Sequence, residues 1–423
     1  MCQDRGTPLG SERSHQPAVT KEHAIDTKND QKHPPGPGTR SVWSGERGGF
    51  PHGASQTPVY RNVTYSYDDV DHWHAVATGA AAGHIYSRNT NPTVQVFEDK
   101  MRELDGAEAA TSLASGMAAI SACLFALLEP GRRVVSTKDT YGGTNKLFIE
   151  FLPRYRIDVA LCDTDDHEAI EREIDAGCDI LYLETPTNPT LKVVDIERLA
   201  TRGHANGATV IVDNTVATPL NQRPLELGAD LVLASASKFL GGHSDALGGA
   251  VSGRRDLVEA VYHYREIHGA CLDPSAAYLL VRGLKTLELR LERQCDNAQR
   301  IAEHLERQPE VERVFYPGLA SHPCHDIAAR QMRRFGGMLS FSLKGGFDSV
   351  RRFLTRLELA HRAAHLGGVE TIVGPPRTTS HVELTPEERA AAGIPEALVR
   401  YSVGIENVDD LVSDLDRALG GLG

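Results

Sequence analysis

Residues 209–245 read TVIVDNTVATPLNQRPLELGADLVLASASKFLGGHSD, and this stretch decides the fold. TVIV and LVLA are short, unbroken apolar runs. Runs of this kind fit strands covered on both faces, as in a parallel sheet, because a solvated face would demand alternation with polar residues. Each run ends on polar residues: Asp213, Asn214 and Thr215 after the first, then Ser235, Ser237 and Lys238 after the second. Working outward, RRVVST (132–137), IDVALCD (157–163) and DILYLE (179–184) precede with the same texture, and GGAVSG (248–253) follows. PTVQVFEDKMRELDG (92–106) has helical spacing, with Val96, Met101 and Leu104 on one side and a glycine stop. ASGMAAISACLFALLEPG (114–131) reads as a buried apolar helix. The alternation predicts an α/β fold with a mostly parallel sheet. Beyond about 280 the chain turns helix-rich, and MLSFSLKG and VRYSVGIE predict strands of a smaller C-terminal α+β domain.

Four hundred and twenty-three residues suffice for two or three ordinary domains. A formal charge of -12 argues against a nucleic-acid backbone or an anionic membrane as the main partner. No run approaches the roughly 18 apolar residues of a membrane span. The opening residues lack the apolar stretch of a secretory signal. Seven cysteines (Cys2, Cys123, Cys162, Cys178, Cys271, Cys295 and Cys324) are scattered, with no CxxC pair, which fits a reducing cytoplasm. Residues 1–55 are rich in Pro, Gly, Ser and charge and read as a disordered tail. A further stretch over 56–90, a strand-rich domain over 91–285 and a C-terminal domain over 286–423 complete the expected organisation. SHPCHD (321–326) and His72-Trp73-His74 lack the two separated ligand pairs of a zinc site, so no metal is expected.

In a sheet of this kind ligands sit beyond the carboxyl ends of the strands. Glu184, Asp213, Ser235, Ser237 and Lys238 would therefore share one edge. A lysine in small-residue surroundings after a buried strand suits a Schiff base with an aldehyde cofactor. Pyridoxal phosphate explains the other groups together. Asp213 is placed to hold the ring nitrogen protonated. The helix opening at Ser115-Gly116-Met117, with Ser235 and Ser237, supplies N–H groups and hydroxyls for a phosphate. Tyr141 could stack on the ring. No G-x-G-x-x-G fingerprint and no G-x-x-x-x-G-K-[ST] loop is found, which disfavours a nucleotide cofactor.

Nine segments in order carry a specific resemblance: YSRNTNPT (86–93), ASGM (114–117), YGGTN (141–145), ETPTNP (184–189), VDNT (212–215), SASKFLGGHSD (235–245), YPGL (316–319), LGGVET (366–371) and RYSVGIE (400–406). From about Thr57 to Leu419 the chain resembles the cysteine/methionine-metabolism (trans-sulfuration) family of fold-type I pyridoxal phosphate enzymes, closest in motifs to cystathionine γ-lyases and γ-synthases. The resemblance implies a large sheet domain with a smaller C-terminal domain. It implies Lys238 as the Schiff-base lysine and proton shuttle, and Asp213 on the pyridinium. Gly116, Met117, Ser235 and Ser237 would bind the phosphate, with Tyr86 and Arg88 reaching a neighbour's phosphate. Tyr141 would stack and act as acid or base, Asn188 would contact the ring's 3-oxygen, and Arg400 would clamp the substrate carboxylate. Glu184 would orient its neighbours. A homotetramer built from dimers that share active sites is implied, as is a small amino-acid substrate.

The implied reaction is γ-elimination or γ-replacement on an L-amino acid with a leaving group at Cγ, with L-cystathionine or an O-acyl-L-homoserine as substrate. Methionine γ-lyase and O-acylhomoserine sulfhydrylase activities stand behind it, because Gly143 occupies the place of a cysteine in methionine γ-lyases. Three departures bear on specificity. His365 stands where the family usually has serine, Ala364 precedes it, and GPPRTTSH (374–381) introduces Arg377. These motivate one alternative, a specialised-metabolism enzyme acting on a non-standard amino acid; a catalytically silent cofactor-binding interaction subunit is the alternative from another class.

Overall fold

A computed structural model describes residues 35–382 and 385–422. Residues Gly36–Gly423 form one compact unit, and two sheets organise it. The first is built from β1 (Ala109–Leu113), β2 (Arg133–Thr137), β3 (Asp158–Cys162), β4 (Ile180–Glu184), β5 (Thr209–Asp213), β6 (Leu231–Ser235) and β7 (Gly249–Gly253). Their spatial order is β1-β7-β6-β5-β4-β2-β3. All neighbours are parallel except β7, which runs against both β1 and β6. The unbroken apolar runs have the expected cause: β4 is buried at every position and β5 at all but its first, with helices on both faces.

Helix Pro92–Asp105 is amphipathic as its spacing predicts. It is capped by Asn91, whose side chain accepts the Thr93 and Val94 N–H groups, and it ends at left-handed Gly106. Helix Gly116–Leu127 starts directly after β1, with Ser115 Oγ accepting the Ala118 N–H. The second sheet contains β8 (Val311–Phe315), β9 (Met338–Leu343), β10 (His361–Arg362), β11 (Ile372–Gly374) and β12 (Leu398–Ser402), in the order β10-β11-β12-β9-β8. The long helix Leu287–Leu305 joins the two, burying Leu287, Leu291, Ala298 and Ile301 in the core that both sheets share. No helix of the described residues is long and apolar enough to cross a membrane.

The expectation of a disordered tail over 1–55 needs correction at its C-terminal part, while residues 1–34 lie outside the described residues. Pro37–Trp43 is a helix, and Ser41, Ser44 and Glu46 are buried. Glu46 pairs with Lys100 at 2.8 Å and Lys285 at 2.9 Å, and accepts the Thr57 hydroxyl at 2.8 Å. The fully buried Lys100 ammonium also reaches the Ser41 and Val42 carbonyls. A segment poor in Leu, Ile and Val is thus ordered by charge pairing, which a composition argument based on apolar burial does not register.

Candidate active site

The carboxyl ends of β4, β5 and β6 lie side by side, with Glu184 and Asp213 in direct register. Beyond them opens a cavity of about 290 Å³. Among its lining residues are Ser115, Gly116, Met117, Tyr141, Glu184, Asn188, Asp213, Ser235, Ser237, Lys238, His365 and Arg400. Ten of the twelve residues singled out from the sequence as catalytic, cofactor-binding or substrate-binding meet here. The other two, Tyr86 and Arg88, do not line the cavity of their own chain. Arg88 lies over the Tyr86 ring, 5.5 Å from its centroid, and donates to the Glu266 carbonyl at 2.5 Å.

Lys238 is held by the turn that leaves β6. Its N–H donates to the Ser235 carbonyl at 3.2 Å, and its own carbonyl accepts from Gly242 at 2.8 Å. Its Nζ lies 3.1 Å from His365 Nδ1. Burial, and then the Arg400 cation, push the Lys238 ammonium down to about 8, so roughly a tenth of it is free amine at pH 7, far more than for an ordinary lysine.

Asp213 Oδ1 accepts the Thr215 N–H at 2.9 Å and Oδ2 accepts the Tyr182 hydroxyl at 3.4 Å. Burial nonetheless raises its carboxyl above the usual range. Glu184 is pushed well above that range by burial and then by Asp213. Its Oε2 accepts the Tyr141 N–H at 2.7 Å, so Glu184 orients the tyrosine's backbone. Arg400 comes from β12 in the second sheet and is buried. It donates from Nη1 to Asn188 Oδ1 at 3.2 Å and from Nη2 to the His365 carbonyl at 3.1 Å. Burial pushes the guanidinium down to about 10.

The donor set fits pyridoxal phosphate. Asp213 is a buried carboxylate for which a protonated ring nitrogen would supply the missing cation. Lys238 would present an amine to the aldehyde. The start of helix Gly116–Leu127 offers N–H groups to a phosphate. Gly116 has to be glycine there: a Cβ would stand 2.6 Å from Ser235 Cβ and 2.8 Å from its Oγ. The Ser237 hydroxyl meanwhile contacts both the Gly248 N–H, at 3.1 Å, and its carbonyl, at 3.4 Å.

Two expectations about specificity fare differently. His365 and Ala364 line the cavity. Arg377 does not: it pairs with Glu396 and lies over the Phe347 ring at 4.1 Å from the centroid. A carboxylate and an aromatic face available outside the pocket draw the guanidinium away. Sequence reasoning gave no role to Thr215, whose Oγ1 accepts the Ser235 N–H at 2.8 Å and ties the ends of β5 and β6 together. A hydroxyl directly after the VDN strand end was the signal. Thr379, Ser380 and Leu247, also in the wall, carried none. Among the described residues no cluster of three His, Cys, Asp or Glu is placed to hold a metal.

The chain is 42% identical over 387 residues to an L-methionine gamma-lyase of Fusobacterium nucleatum subsp. polymorphum, covering 91% of this chain and 98% of that one. It is 42% identical over 386 residues to cystathionine gamma-synthase 1, chloroplastic, of Nicotiana tabacum, covering 90% and 71%. Among solved structures, the cystathionine gamma synthase from Xanthomonas oryzae pv. oryzae in complex with aminoacrylate and cysteine superposes with a TM-score of 0.88 at 36% identity, over 92% of this chain and 99% of that one. The sequence model of one family, described as Cys/Met metabolism PLP-dependent enzyme, matches residues 38–420. With that match, the relatives and a cavity whose donors suit the cofactor, the chain belongs to the Cys/Met metabolism PLP-dependent enzymes.

Proposed function

We propose that this enzyme catalyses γ-elimination or γ-replacement on an L-amino acid with a leaving group at Cγ, and that L-cystathionine or an O-acyl-L-homoserine is its substrate. The observation that carries the reading is Arg400. Among the described residues no carboxylate pairs with this buried guanidinium, and it lines the same cavity as Lys238. A buried unpaired charge is costly, and a substrate carboxylate is the anion that would complete it.

Lys238 would carry the cofactor's aldehyde, Asp213 its ring nitrogen and the helix start at Gly116 its phosphate. Bound there, the cofactor supplies an electron sink that makes a Cα proton acidic. Lys238 Nζ, with its depressed ammonium, takes and returns protons. The Tyr141 side chain, at the cavity wall and partly open to solvent, is placed to hold a proton near the leaving group. Arg400 fixes the carboxylate through the N–H groups that Asn188 and His365 leave free. The phosphate would need a cation, and the cations in the cavity wall, Lys238 and Arg400, have other work. That supports Tyr86 and Arg88 serving the cavity of a second copy, with the shared-site dimer as the smallest working unit.

Methionine is a second substrate reading, favoured by relatives named L-methionine gamma-lyase at 42% and 44% identity. Against it stands Gly143, where a Cβ would lie 2.8 Å from Met117 Sδ and 2.9 Å from Tyr141 Cε1. Any side chain at that position, such as the cysteine that the family resemblance gives methionine γ-lyases, would require both neighbours to shift. The deciding experiment is product analysis with cystathionine, methionine, homocysteine, O-acetylhomoserine and O-succinylhomoserine, each with and without cysteine. Release of 2-oxobutyrate from cystathionine, or formation of cystathionine from an ester plus cysteine, supports the reading. Turnover of methionine alone refutes it in favour of the second.

A further inference from the structure

Resting on the reading of Lys238 as the cofactor lysine, we propose that His365 is a positioning residue for it. In this role the imidazole Nδ1 accepts a hydrogen bond from Lys238 Nζ and holds the amine and the proton it collects. The contact is 3.1 Å. It does not depend on a loose loop. Ala363 N–H donates to the Val373 carbonyl at 3.2 Å and Gly367 N–H to Ser402 Oγ at 2.8 Å, pinning the segment on both sides of His365. Gly367 is left-handed at φ 81°, and a Cβ there would lie 2.5 Å from Phe239 N and 2.9 Å from the Lys238 carbonyl carbon. The segment is thus pressed directly onto the peptide that follows the lysine. Only the absence of a side chain at Gly367 lets the imidazole come so close.

An ammonium can only donate, so facing it the neutral ring accepts at Nδ1 and carries its own proton on Nε2, which is buried without a partner among the described residues. Burial, then Lys238, then Arg400 push its pKa down to about 4, against a smaller opposing contact with the Ser237 backbone. The other titratable groups in the cavity wall are Asp213, Glu184 and Tyr141. Asp213 and Glu184 are themselves raised by burial. Arg400 uses only the His365 carbonyl, so the backbone at this position serves the guanidinium whatever side chain it carries. The imidazole is left for Lys238. A lysine has a flexible four-carbon stem and a strongly hydrated ammonium. An acceptor at Nζ confines the free amine and stabilises the ammonium formed when it takes a proton.

The test uses full-length protein stripped of cofactor with hydroxylamine. The rate at which added pyridoxal 5'-phosphate restores the band near 420 nm is followed against pH. Only the neutral amine condenses with the aldehyde, so the rate rises through the Lys238 midpoint. His365→Leu keeps the bulk and removes the acceptor; the midpoint should fall by about half a pH unit or more, because the ammonium has lost a hydrogen bond. His365→Asn puts an acceptor oxygen near the place of Nδ1 and should return the midpoint to the wild-type value. His365→Met carries the leucine's expectation should that variant not fold. A leucine or methionine variant with the wild-type midpoint, or an asparagine variant that behaves like the leucine, overturns the proposal. Failure of the wild-type protein to develop the band refutes the reading of Lys238 instead.

Discussion

Arg400→Lys separates carboxylate recognition from mere positive charge. A guanidinium has five N–H groups; two go to Asn188 Oδ1 and the His365 carbonyl, leaving three for a substrate. A lysine in its place keeps the charge but has three donors. If two of these replace the contacts to Asn188 and His365, one remains, and the planar fork is lost. One or two charge-assisted hydrogen bonds then disappear, at about 1.5–3 kcal/mol each. Taking a total of about 2–4 kcal/mol, kcat/KM should fall by about 30- to 1,000-fold, at one decade per 1.4 kcal/mol. A carboxylate is bound before and during the reaction, so the loss should fall mainly on KM. Steady-state kinetics on the preferred substrate measures it. The 420 nm band should persist, and binding of the corresponding amine without a carboxylate should not change. A fall below about fivefold with the cofactor still bound, or an equal loss with the decarboxylated analogue, refutes the assignment.

Glu46→Leu should destabilise the fold by about 3–5 kcal/mol in urea unfolding, because it strands the fully buried Lys100 ammonium without its carboxylate; a change under about 1 kcal/mol would show that the Ser41 and Val42 carbonyls suffice. Mixing Arg88→Ala with Lys238→Ala subunits, unfolded and refolded together, should recover up to about a quarter of wild-type activity, since half the dimers pair unlike chains and each such dimer has one intact site. No recovery would place Arg88 in its own chain's chemistry. Acid should weaken the fold between pH 6.5 and 4: His322 and His381 are pushed from 6.5 down to about 4, chiefly by burial, so the unfolded chain protonates first as pH falls. Stability is then complete above 6.5 and reduced by up to about 3 kcal/mol per histidine near pH 4. His322→Asn, which keeps an acceptor for the Cys324 N–H, should reduce that slope; an unchanged slope refutes the assignment to His322.

Six of the seven strands of the large sheet and its polar edge were legible because their determinants are local; β1 (AATSL) was not, having no unbroken apolar run to mark it. An unbroken apolar run bounded by polar residues specifies a covered strand, and the carboxyl ends of parallel strands necessarily converge. Glu184, Asp213, Ser235 and Lys238 could therefore be assigned to one edge before any coordinates were known. The N-terminal boundary was not legible, because Glu46 orders its segment through Lys100 and Lys285, residues far along the chain. A hydrophobicity argument assigns no stabilisation to such a cluster.

The sequence by itself pointed to the proposed cofactor machinery: the lysine, the aspartate and the glycine-opened helix, each marked by its type and its place at the edge of a predicted element, whereas Arg400, inside a predicted strand, came only through the family resemblance. Only the tertiary structure decided how the departures from the family pattern are used. His365 meets Lys238 across 127 positions of chain, and Arg377 is drawn to Glu396 and Phe347 outside the cavity. Both depend on which partners the folded chain brings within a few ångströms. That choice is made by competition among distant groups, whereas strand and helix patterns are written into neighbouring residues.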